Sequence, residues 1–229
     1  MAETCRSPLP DCSRCPRLVA LRWEIREKYP DYHAAPVPAW GSRDARLLIV
    51  GLAPGMHGAN RTGRPFTGDA SGTFLFQALH RAGLATAPDA NRARLKGVRI
   101  TNAVKCLPPE NRPTAAEVRQ CRPYLAEELT VLTGRSPRQP RAVLCLGRLA
   151  HDAVASVIKE QRVHLEGGDP AAPEEIAIPD FQHGRCTEIA SRLLLADTYH
   201  PSRQNTNTRR LTATMLDQVL EEVVRILAA

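Results

Sequence analysis

The sequence predicts an α/β protein, a three-layer α/β/α sandwich around a central, mainly parallel four-stranded sheet. Four short apolar runs have the length of buried strands, and segments with helical apolar spacing separate them, which is typical of a parallel sheet with crossover helices. At 229 residues with 43% hydrophobic content, the chain can bury one full core. We therefore predict a single domain over residues 1–229.

The N-terminal region combines a cysteine pair with a charged helix. Residues 12–17 read Cys-Ser-Arg-Cys-Pro-Arg, and the helical segment that follows ends before Pro30. A Cys-x-x-Cys pair at the start of a helix occurs in redox motifs and as half of a metal site, and it also arises by accident. Redox chemistry is disfavoured because no βαβ unit precedes the pair. Residues 31–45 are predicted to connect the helix to the first strand.

The first strand, residues 47–50, leads directly into a loop of unusual composition. Six glycines and two prolines lie between Gly51 and Gly72, which allows the backbone to approach a ligand closely. Because ligands bind at the carboxyl ends of strands in α/β sheets, this loop predicts a binding site. A flexible surface loop is the alternative, but the apolar residues Leu52 and Phe66 argue against it. A phosphate-binding P-loop is excluded because no Gly-Lys-Ser/Thr follows.

The rest of the chain alternates between helices and strands. The predicted elements are a helix over 71–82, a strand over 97–104, a helix from Thr114, a strand over 141–147, a helix over 148–159, a strand over 193–199 and a helix from Thr208 to the C-terminus. Thr114 and Glu117 form a capping box. Residues 160–192 are predicted to be an irregular excursion without a function.

Charge and cysteine content limit the classes of function. The net charge of +7 suits a polyanionic partner such as nucleic acid, although a coding bias toward arginine has the same effect. The sequence has no membrane-length apolar run and no signal peptide, so we expect a cytoplasmic location. Seven cysteines, an odd number, favour metal or cluster ligation and core filling over a disulfide framework.

Three short segments carry a family resemblance. Gly51-Leu-Ala-Pro-Gly55 and Gly63-Arg-Pro-Phe-Thr-Gly-Asp69 resemble the first motif of the uracil-DNA glycosylase superfamily, and His200-Pro-Ser resembles the second. Among the branches, the chain is most similar to the iron-sulfur family 5 enzymes of bacteria and archaea. The resemblance implies a monomeric, monofunctional DNA glycosylase, associated with the nucleoid through DNA. It would remove uracil and other deaminated bases such as hypoxanthine, and so initiate base-excision repair.

Four cysteines are spaced as C-x2-C, a long gap, then C-x14-C. They are Cys12, Cys15, Cys106 and Cys121. Four thiolates can hold either zinc, as in a zinc-stabilised DNA-binding domain, or a 4Fe-4S cluster. The resemblance matches them to cluster ligands and implies 4Fe-4S. Cys5, Cys145 and Cys186 are left over and are predicted to be inert, with Cys145 in the core.

The resemblance also implies a pocket that receives a flipped base. Phe66 would stack on the base, or alternatively serve as a core plug. Asn102 would offer its NH2 group to uracil O4 and its carbonyl to uracil N3–H, and cytosine presents the opposite pattern at both positions. Without the resemblance, Asn102 would be interpreted as a turn residue. The other residues predicted to bind substrate are Gly51, Leu52, Ala53, Gly55 and His57.

Catalysis is assigned to two residues. His200 would donate a hydrogen bond to uracil O2, where negative charge develops as the base departs. Asp69 would orient the attacking water, or it is simply a helix N-cap. Other branches of the superfamily orient the water with an Asp or Asn at the position of Ala53, or with an acidic residue at that of Leu52. Their absence favours an alternative function, a non-catalytic lesion-binding or DNA-binding iron-sulfur protein.

The resemblance places a DNA-contacting loop directly after His200. Residues 202–207 would enter the minor groove and fill the space that the flipped base leaves. Arg203 would be available to a phosphate. A solvated polar turn is the alternative. The predicted DNA-binding residues are Ser202, Arg203, Gln204 and Asn205.

Overall fold

The computed structural model describes residues 11–134, 139–160 and 177–228, and its centre is a six-stranded sheet. The strands are β1 (Trp40–Gly41), β2 (Leu47–Gly51), β3 (Val98–Asn102), β4 (Arg141–Leu146), β5 (Cys186–Ala190) and β6 (Leu193–Thr198). Their order in the sheet is β1-β3-β2-β4-β6-β5. The predicted number of four strands is therefore wrong. The two additional strands, β1 and β5, pair antiparallel at the edges of the sheet.

The edge strands were not predicted from the sequence, because they are shorter or less buried than the parallel strands. The four parallel strands are buried along their whole length, which favours the apolar residues that made them recognisable in the sequence. Their buried polar residues have specific partners, such as Glu128 for Arg99 in β3 and His151 for Asp197 in β6. By contrast, β1 has only two residues and β5 is mostly half-buried. The prediction of irregular structure over residues 160–192 is thus wrong for residues 186–190, which form β5. Its residues 161–176 lie outside the described part of the chain, as does Cys5.

Helices cover both faces of the sheet and confirm the three-layer architecture. The helices are α1 (Pro16–Lys28), α2 (Ala59–Thr62), α3 (Ala70–Arg81), α4 (Ala115–Thr133), α5 (Arg148–Glu160), α6 (Arg203–Asn207) and α7 (Ala213–Ala228). α3 and α7 pack on one face through buried side chains such as Leu75 and Leu220. α4 and α5 pack on the other face, for example through Leu129 and Val154. No helix within the described ranges has the length and apolar character to cross a membrane.

The order of the parallel strands determines where a ligand can bind. The chain passes from β2 to β3 on one side and then reverses to β4 and β6 on the other. At such a switch point a crevice opens outside the carboxyl ends of the strands. Gly51 and Asn102 end two of these strands, Gly147 directly follows the third, and His200 lies two residues beyond the fourth. The fold therefore brings together the segments that the sequence analysis singled out.

Candidate active site

A cavity of about 620 Å³ lies at the carboxyl ends of β2, β3 and β6. Its lining includes eleven of the predicted site residues, namely Leu52, Ala53, Gly55, His57, Phe66, Asp69, Asn102, His200, Ser202, Arg203 and Gln204. Gly51 lies directly behind the wall, because a Cβ there would be 2.5 Å from Asn102 Oδ1 and 2.7 Å from the Phe66 ring. Asn205 faces a neighbouring cavity instead. We call the larger space the base cavity.

Asn102 presents an unsatisfied acceptor at the wall of the base cavity. It ends β3, is 2% exposed, and its Oδ1 has no hydrogen-bond partner among the described residues. A buried acceptor without a partner costs roughly 1 to 3 kcal/mol, so such an atom is normally satisfied by a ligand or water. A ligand N–H group in the cavity would satisfy it.

Lys105 holds the backbone beneath Asn102 and was not predicted. Its ammonium group is fully buried and donates to the carbonyl oxygen of Asn102 at 2.9 Å and to the Thr101 hydroxyl. Its backbone N–H donates to Cys121 Sγ at 3.3 Å. Burial lowers the pKa of Lys105. Lysine is normally a surface residue, so the sequence did not predict that a buried Lys105 would connect the cysteines to the base cavity.

Phe66 forms a wall of the base cavity in a strained backbone conformation. Its φ is +51°, in the left-handed region that non-glycine residues rarely occupy and that costs about 1 to 3 kcal/mol. Gly72 accommodates this conformation, because a Cβ there would lie 2.1 Å from the Phe66 carbonyl oxygen. The ring is only 8% exposed and lies 5.9 Å from the His200 ring, centroid to centroid. Phe66 is therefore a core residue with one part facing the cavity.

His200 is held in place through its backbone. Its carbonyl oxygen accepts hydrogen bonds from the Ser202 N–H and from Asn205 Nδ2, both at 2.8 Å. Burial lowers the pKa of His200 to about 4, so the imidazole is neutral near pH 7. A neutral imidazole can still donate one hydrogen bond, and it does so without a buried charge.

Asp69 both caps a helix and lines the base cavity. Its Oδ1 accepts from the Gly72 N–H at 2.8 Å, which makes it the N-cap of α3. Its other oxygen packs against the glycine-rich loop, because a Cβ at Gly58 would lie 1.9 Å from Oδ2. The N-cap role was one of the two interpretations of this residue. The same carboxylate also lies within reach of a ligand in the cavity.

The mouth of the base cavity carries exposed polar groups. His57 is exposed, and its Nδ1 lies 2.8 Å from the Tyr32 hydroxyl. On the other side, residues 203–207 form the short helix α6 rather than a loop, with Ser202 as its N-cap. The side chains of Arg203 and Gln204 are exposed there. Asn111, from the proline-rich segment after β3, also lines the cavity, and no sequence signal pointed to it.

The four predicted cysteine ligands surround a separate small cavity. Cys12 and Cys15 precede or cap α1, Cys106 follows β3, and Cys121 lies on α4. Burial, with a contribution from the neighbouring thiols, raises the pKa of Cys106 to about 12 and that of Cys15 to about 11. The Tyr124 hydroxyl lies 3.6 Å from Cys12 Sγ, a second donor beside the Lys105 N–H. Four thiols with such donors around them fit a metal centre, since a bound metal displaces their protons.

A second group of buried side chains was not predicted. Cys145 is fully buried in β4, as expected of a core residue, but it lies beside His151 and Asp197. His151 Nδ1 is 2.9 Å from Asp197 Oδ1. The three side chains are close enough to hold a metal ion. Cys186, the other leftover cysteine described, lies half-buried in β5.

Comparisons with known proteins show the family of this chain. The uracil DNA glycosylase superfamily model matches residues 38–224. A type-5 uracil-DNA glycosylase from Thermus thermophilus is 43% identical over 94% of this chain and 93% of its own length. Type-5 uracil-DNA glycosylases from Pyrobaculum aerophilum and Mycobacterium tuberculosis are 43% and 42% identical, over 93% and 94% of this chain and 87% and 78% of their own lengths. The chain therefore belongs to the uracil DNA glycosylase superfamily.

Proposed function

We propose that the chain is a monofunctional DNA glycosylase that hydrolyses the N-glycosidic bond of uracil in DNA and leaves an abasic site. The observation that carries the proposal is the buried, unpartnered Oδ1 of Asn102 in a cavity that also contains His200. The type-5 relatives support the same reaction. Excision of uracil initiates base-excision repair.

Base selection rests on the side-chain amide of Asn102. Its Oδ1 would accept a hydrogen bond from uracil N3–H, and its NH2 group would donate to uracil O4. Cytosine presents an acceptor at N3 and a donor at N4, so both contacts would be lost. One unsatisfied buried group costs roughly 1 to 3 kcal/mol. The Phe66 ring, fixed by Gly51 behind it, would support the face of the flipped base.

The departing base requires electrostatic stabilisation during the reaction. When the bond between C1′ and N1 breaks, its electron pair leaves with uracil, and negative charge develops on O2. The neutral His200 imidazole would donate a hydrogen bond to O2 and stabilise this charge. A water molecule then adds to C1′, its oxygen forming the new bond and its proton passing to solvent or to the released base.

The attacking water requires a separate group because the side chains of Ala53 and Leu52 offer no polar atom. Asp69 is the candidate, since Oδ1 is used by the helix cap while Oδ2 lies on the cavity side against Gly58. The carboxylate would orient the water and stabilise the positive charge that develops on the sugar. The apolar residues at 52 and 53 also favour the second candidate, a non-catalytic lesion-binding protein.

We propose that Cys12, Cys15, Cys106 and Cys121 hold a 4Fe-4S cluster. The donor set of four thiols around one cavity, with the Lys105 N–H and Tyr124 hydroxyl beside the sulfurs, supports this assignment. The cluster would supply cross-linking rather than chemistry at the base. It would fasten the segment before α1 to α4 and to the end of β3, next to Lys105.

The proposal extends to substrate range, assembly and location. Other deaminated bases such as hypoxanthine would be accepted through contacts other than Asn102. Residues 1–229 would form one domain that acts as a monomer on DNA in the cytoplasm. The exposed side chains Arg203 and Gln204, with Ser202 and Asn205, would contact DNA at the mouth of the cavity.

A base-release assay tests the proposed function. Oligonucleotides with a single uracil, hypoxanthine, xanthine or mismatched thymine are incubated with the protein, treated with alkali and analysed for strand cleavage. We expect alkali-labile sites at uracil. Binding of uracil-containing DNA without release of the base would instead support the non-catalytic candidate.

A further inference from the structure

A cavity at the opposite end of the sheet from the base cavity has no assigned role. Its volume is about 180 Å³, and it lies between the residues before β2, the end of α4 and the start of β4. β2 and β4 are five and six residues long, so about 17 to 20 Å separates it from the carboxyl ends of the strands. DNA bound over the base cavity therefore does not reach it. We call it the amino-end cavity, because it lies at the amino ends of β2 and β4.

Arg141 brings a buried guanidinium with few partners to the lining of the amino-end cavity. The residue is 7% exposed, and its Nε has no hydrogen-bond partner among the described residues. No carboxylate among those residues pairs with it, and burial lowers its pKa. Buried charges in proteins are normally paired, and buried N–H groups are normally bonded. An anion in the cavity would meet both requirements.

A structural role explains only part of this arrangement. Arg141 Nη1 donates to the carbonyl oxygens of Leu132 and Thr133, which end α4. A cation at the carboxyl end of a helix is favourable, because it satisfies orphan carbonyls and offsets the helix dipole. This role uses Nη1 alone. It leaves Nε without an acceptor and does not require further arginines at the same cavity.

Two more arginines line the amino-end cavity. Arg46 is half-buried, donates to a carbonyl oxygen at the end of α7, and has no carboxylate partner among the described residues. Arg43 is exposed and lies 3.6 Å from Glu127 Oε1. Asp44 is the only acidic side chain in the described lining, and it is exposed. Even with Asp44 and Glu127 counted, the three guanidinium groups leave an excess of positive charge.

We propose that the amino-end cavity binds a terminal phosphate group, from inorganic phosphate or a phosphomonoester, with Arg46 and Arg141 as its donors. Guanidinium groups match phosphate oxygens in geometry, and two of them offset the charge of about −1.5 to −2 that a monoester carries near pH 7. The cavity is several times the roughly 30 Å³ that one water molecule occupies in the liquid, so it has space for the group. Because Arg141 is so little exposed, a ligand must project a terminal group inward to reach it.

Titration calorimetry with inorganic phosphate, at constant ionic strength in chloride, tests the inference. We expect the purified wild-type chain to bind phosphate saturably and to melt at a higher temperature with phosphate present. Arg46→Gln and Arg141→Lys should each weaken phosphate binding by about tenfold or more, the size of a lost bond from a charged donor. Lysine at 141 keeps the charge and a donor for the carbonyls of α4 but has no Nε–H group, so this variant separates binding from folding.

Two control variants locate the phosphate. Arg81→Gln loses the same charge at an arginine that is paired with Asp217, and it should bind phosphate as the wild-type chain does. Arg148→Gln changes the cavity next to the base cavity and should also keep the binding. Phosphate binding that is lost in Arg148→Gln, or that is unchanged in both Arg46→Gln and Arg141→Lys, would overturn the inference.

The choice of ligand identifies the source of the phosphate group. Methyl phosphate that binds as tightly as inorganic phosphate would support the terminal phosphate of a larger molecule, and binding of inorganic phosphate alone would support the free ion. Acetate carries a single charge and should bind more weakly than either. Acetate binding as tight as that of phosphate, or no saturable binding of either phosphate, would refute a phosphate site.

The proposed function is measured separately on the same preparations. The amino-end cavity lies far from the base cavity, so Arg46→Gln and Arg141→Lys should release uracil from a single-uracil oligonucleotide at the wild-type rate. Absence of uracil release in all preparations, with phosphate binding intact, would count against the proposed function and leave this inference standing.

Discussion

At the scale of single residues, the side chains proposed to act on the base lie where strain, an unsatisfied acceptor and burial of a titratable group are found. Phe66 holds a positive φ, Asn102 has an orphaned acceptor, and the pKa of His200 is lowered by burial. The first two features cost stability in the free protein, and a ligand or water that donates to Asn102 would offset the second. The sequence indicates these residues through motif resemblance, but not their strain, which depends on packing between distant segments.

His200→Ala is expected to slow base release without weakening DNA binding. Removal of one preorganised donor from a developing anion typically costs about 2.7 to 4 kcal/mol, or ~100-fold to 1000-fold in rate. The loss should be seen in single-turnover excision of uracil at pH 6 to 8, where the pKa of about 4 keeps the ring neutral throughout. His80→Ala is the control, since His80 lies at the end of α3 and bonds the Ala85 carbonyl. A fully active His200→Ala variant would refute the role in leaving-group stabilisation.

Asp69→Asn separates the two roles of this residue. Asparagine is an equally good N-cap, so α3 and the melting temperature should change little. The charge that orients water and stabilises the sugar is removed, so single-turnover excision should fall by at least about tenfold, or ~1.4 kcal/mol. Asp69→Ser, another good cap, should lose as much. If both variants excise uracil at the parental rate, Asp69 is only a cap.

At the scale of elements, the four parallel strands and the long helices could be predicted, and the edge strands could not. A strand buried on both faces is largely apolar, and residues 142–146 show this. An edge strand such as β5 has no such requirement, because one side of it faces solvent. The short helix α6 was read as a loop, since its stability comes from the Ser202 cap and from the Asn205 bond to His200 rather than from apolar spacing.

The end of β3 depends on Lys105, and Lys105→Met tests that dependence. Methionine fills a similar volume but removes the hydrogen bonds to the Asn102 carbonyl and the Thr101 hydroxyl. Both acceptors are buried and would lose this donor, so the melting temperature should also fall. Loss of a bond from a charged donor is worth about 1.5 to 3 kcal/mol, so excision of uracil should fall by about tenfold or more.

Comparison of the activity loss in Lys105→Met on uracil and on hypoxanthine distinguishes a positioning role of Lys105 from a structural one. Hypoxanthine does not present the uracil edge to Asn102, so its excision should fall less in Lys105→Met. Thr101→Val removes only the second partner of the ammonium group and should have a smaller effect on uracil. Equal losses on both bases would mean that Lys105 only supports the fold.

At the scale of the whole molecule, one sheet edge collects the motifs that are far apart in the chain. The topology explains why the base cavity could be anticipated, since the ends of parallel strands meet at one edge. The neighbouring cavity that Asn205 faces could not be, because the two arginines that line it, Arg148 and Arg210, belong to no motif and meet only in the fold. The buried group formed by Cys145 with His151 and Asp197 was missed for the same reason.

The cysteine centre should couple distant parts of the molecule. Cys106→Ala removes one of the four proposed cluster ligands, which would join the end of β3 to α1 and α4. The purified variant should therefore lose iron and visible absorption and melt at a lower temperature. Cys145→Ala is the matched control, because Cys145 is buried in β4 away from the four cysteines, and its iron content should equal that of the wild type. Iron lost in Cys145→Ala but retained in Cys106→Ala would overturn the assignment of ligands.

Release of uracil by the wild-type chain and by Asn102→Ala is the most direct test of the account. The wild-type chain should convert a uracil-containing oligonucleotide into one with an alkali-labile site and leave the matching cytosine oligonucleotide intact. Asn102→Ala should lower the single-turnover rate on uracil by about tenfold or more, from the loss of roughly 1 to 3 kcal/mol per contact, and lower that on hypoxanthine less. No release of uracil by the wild-type chain, or equal losses on both bases in the variant, would contradict the claim that Asn102 reads uracil in this cavity.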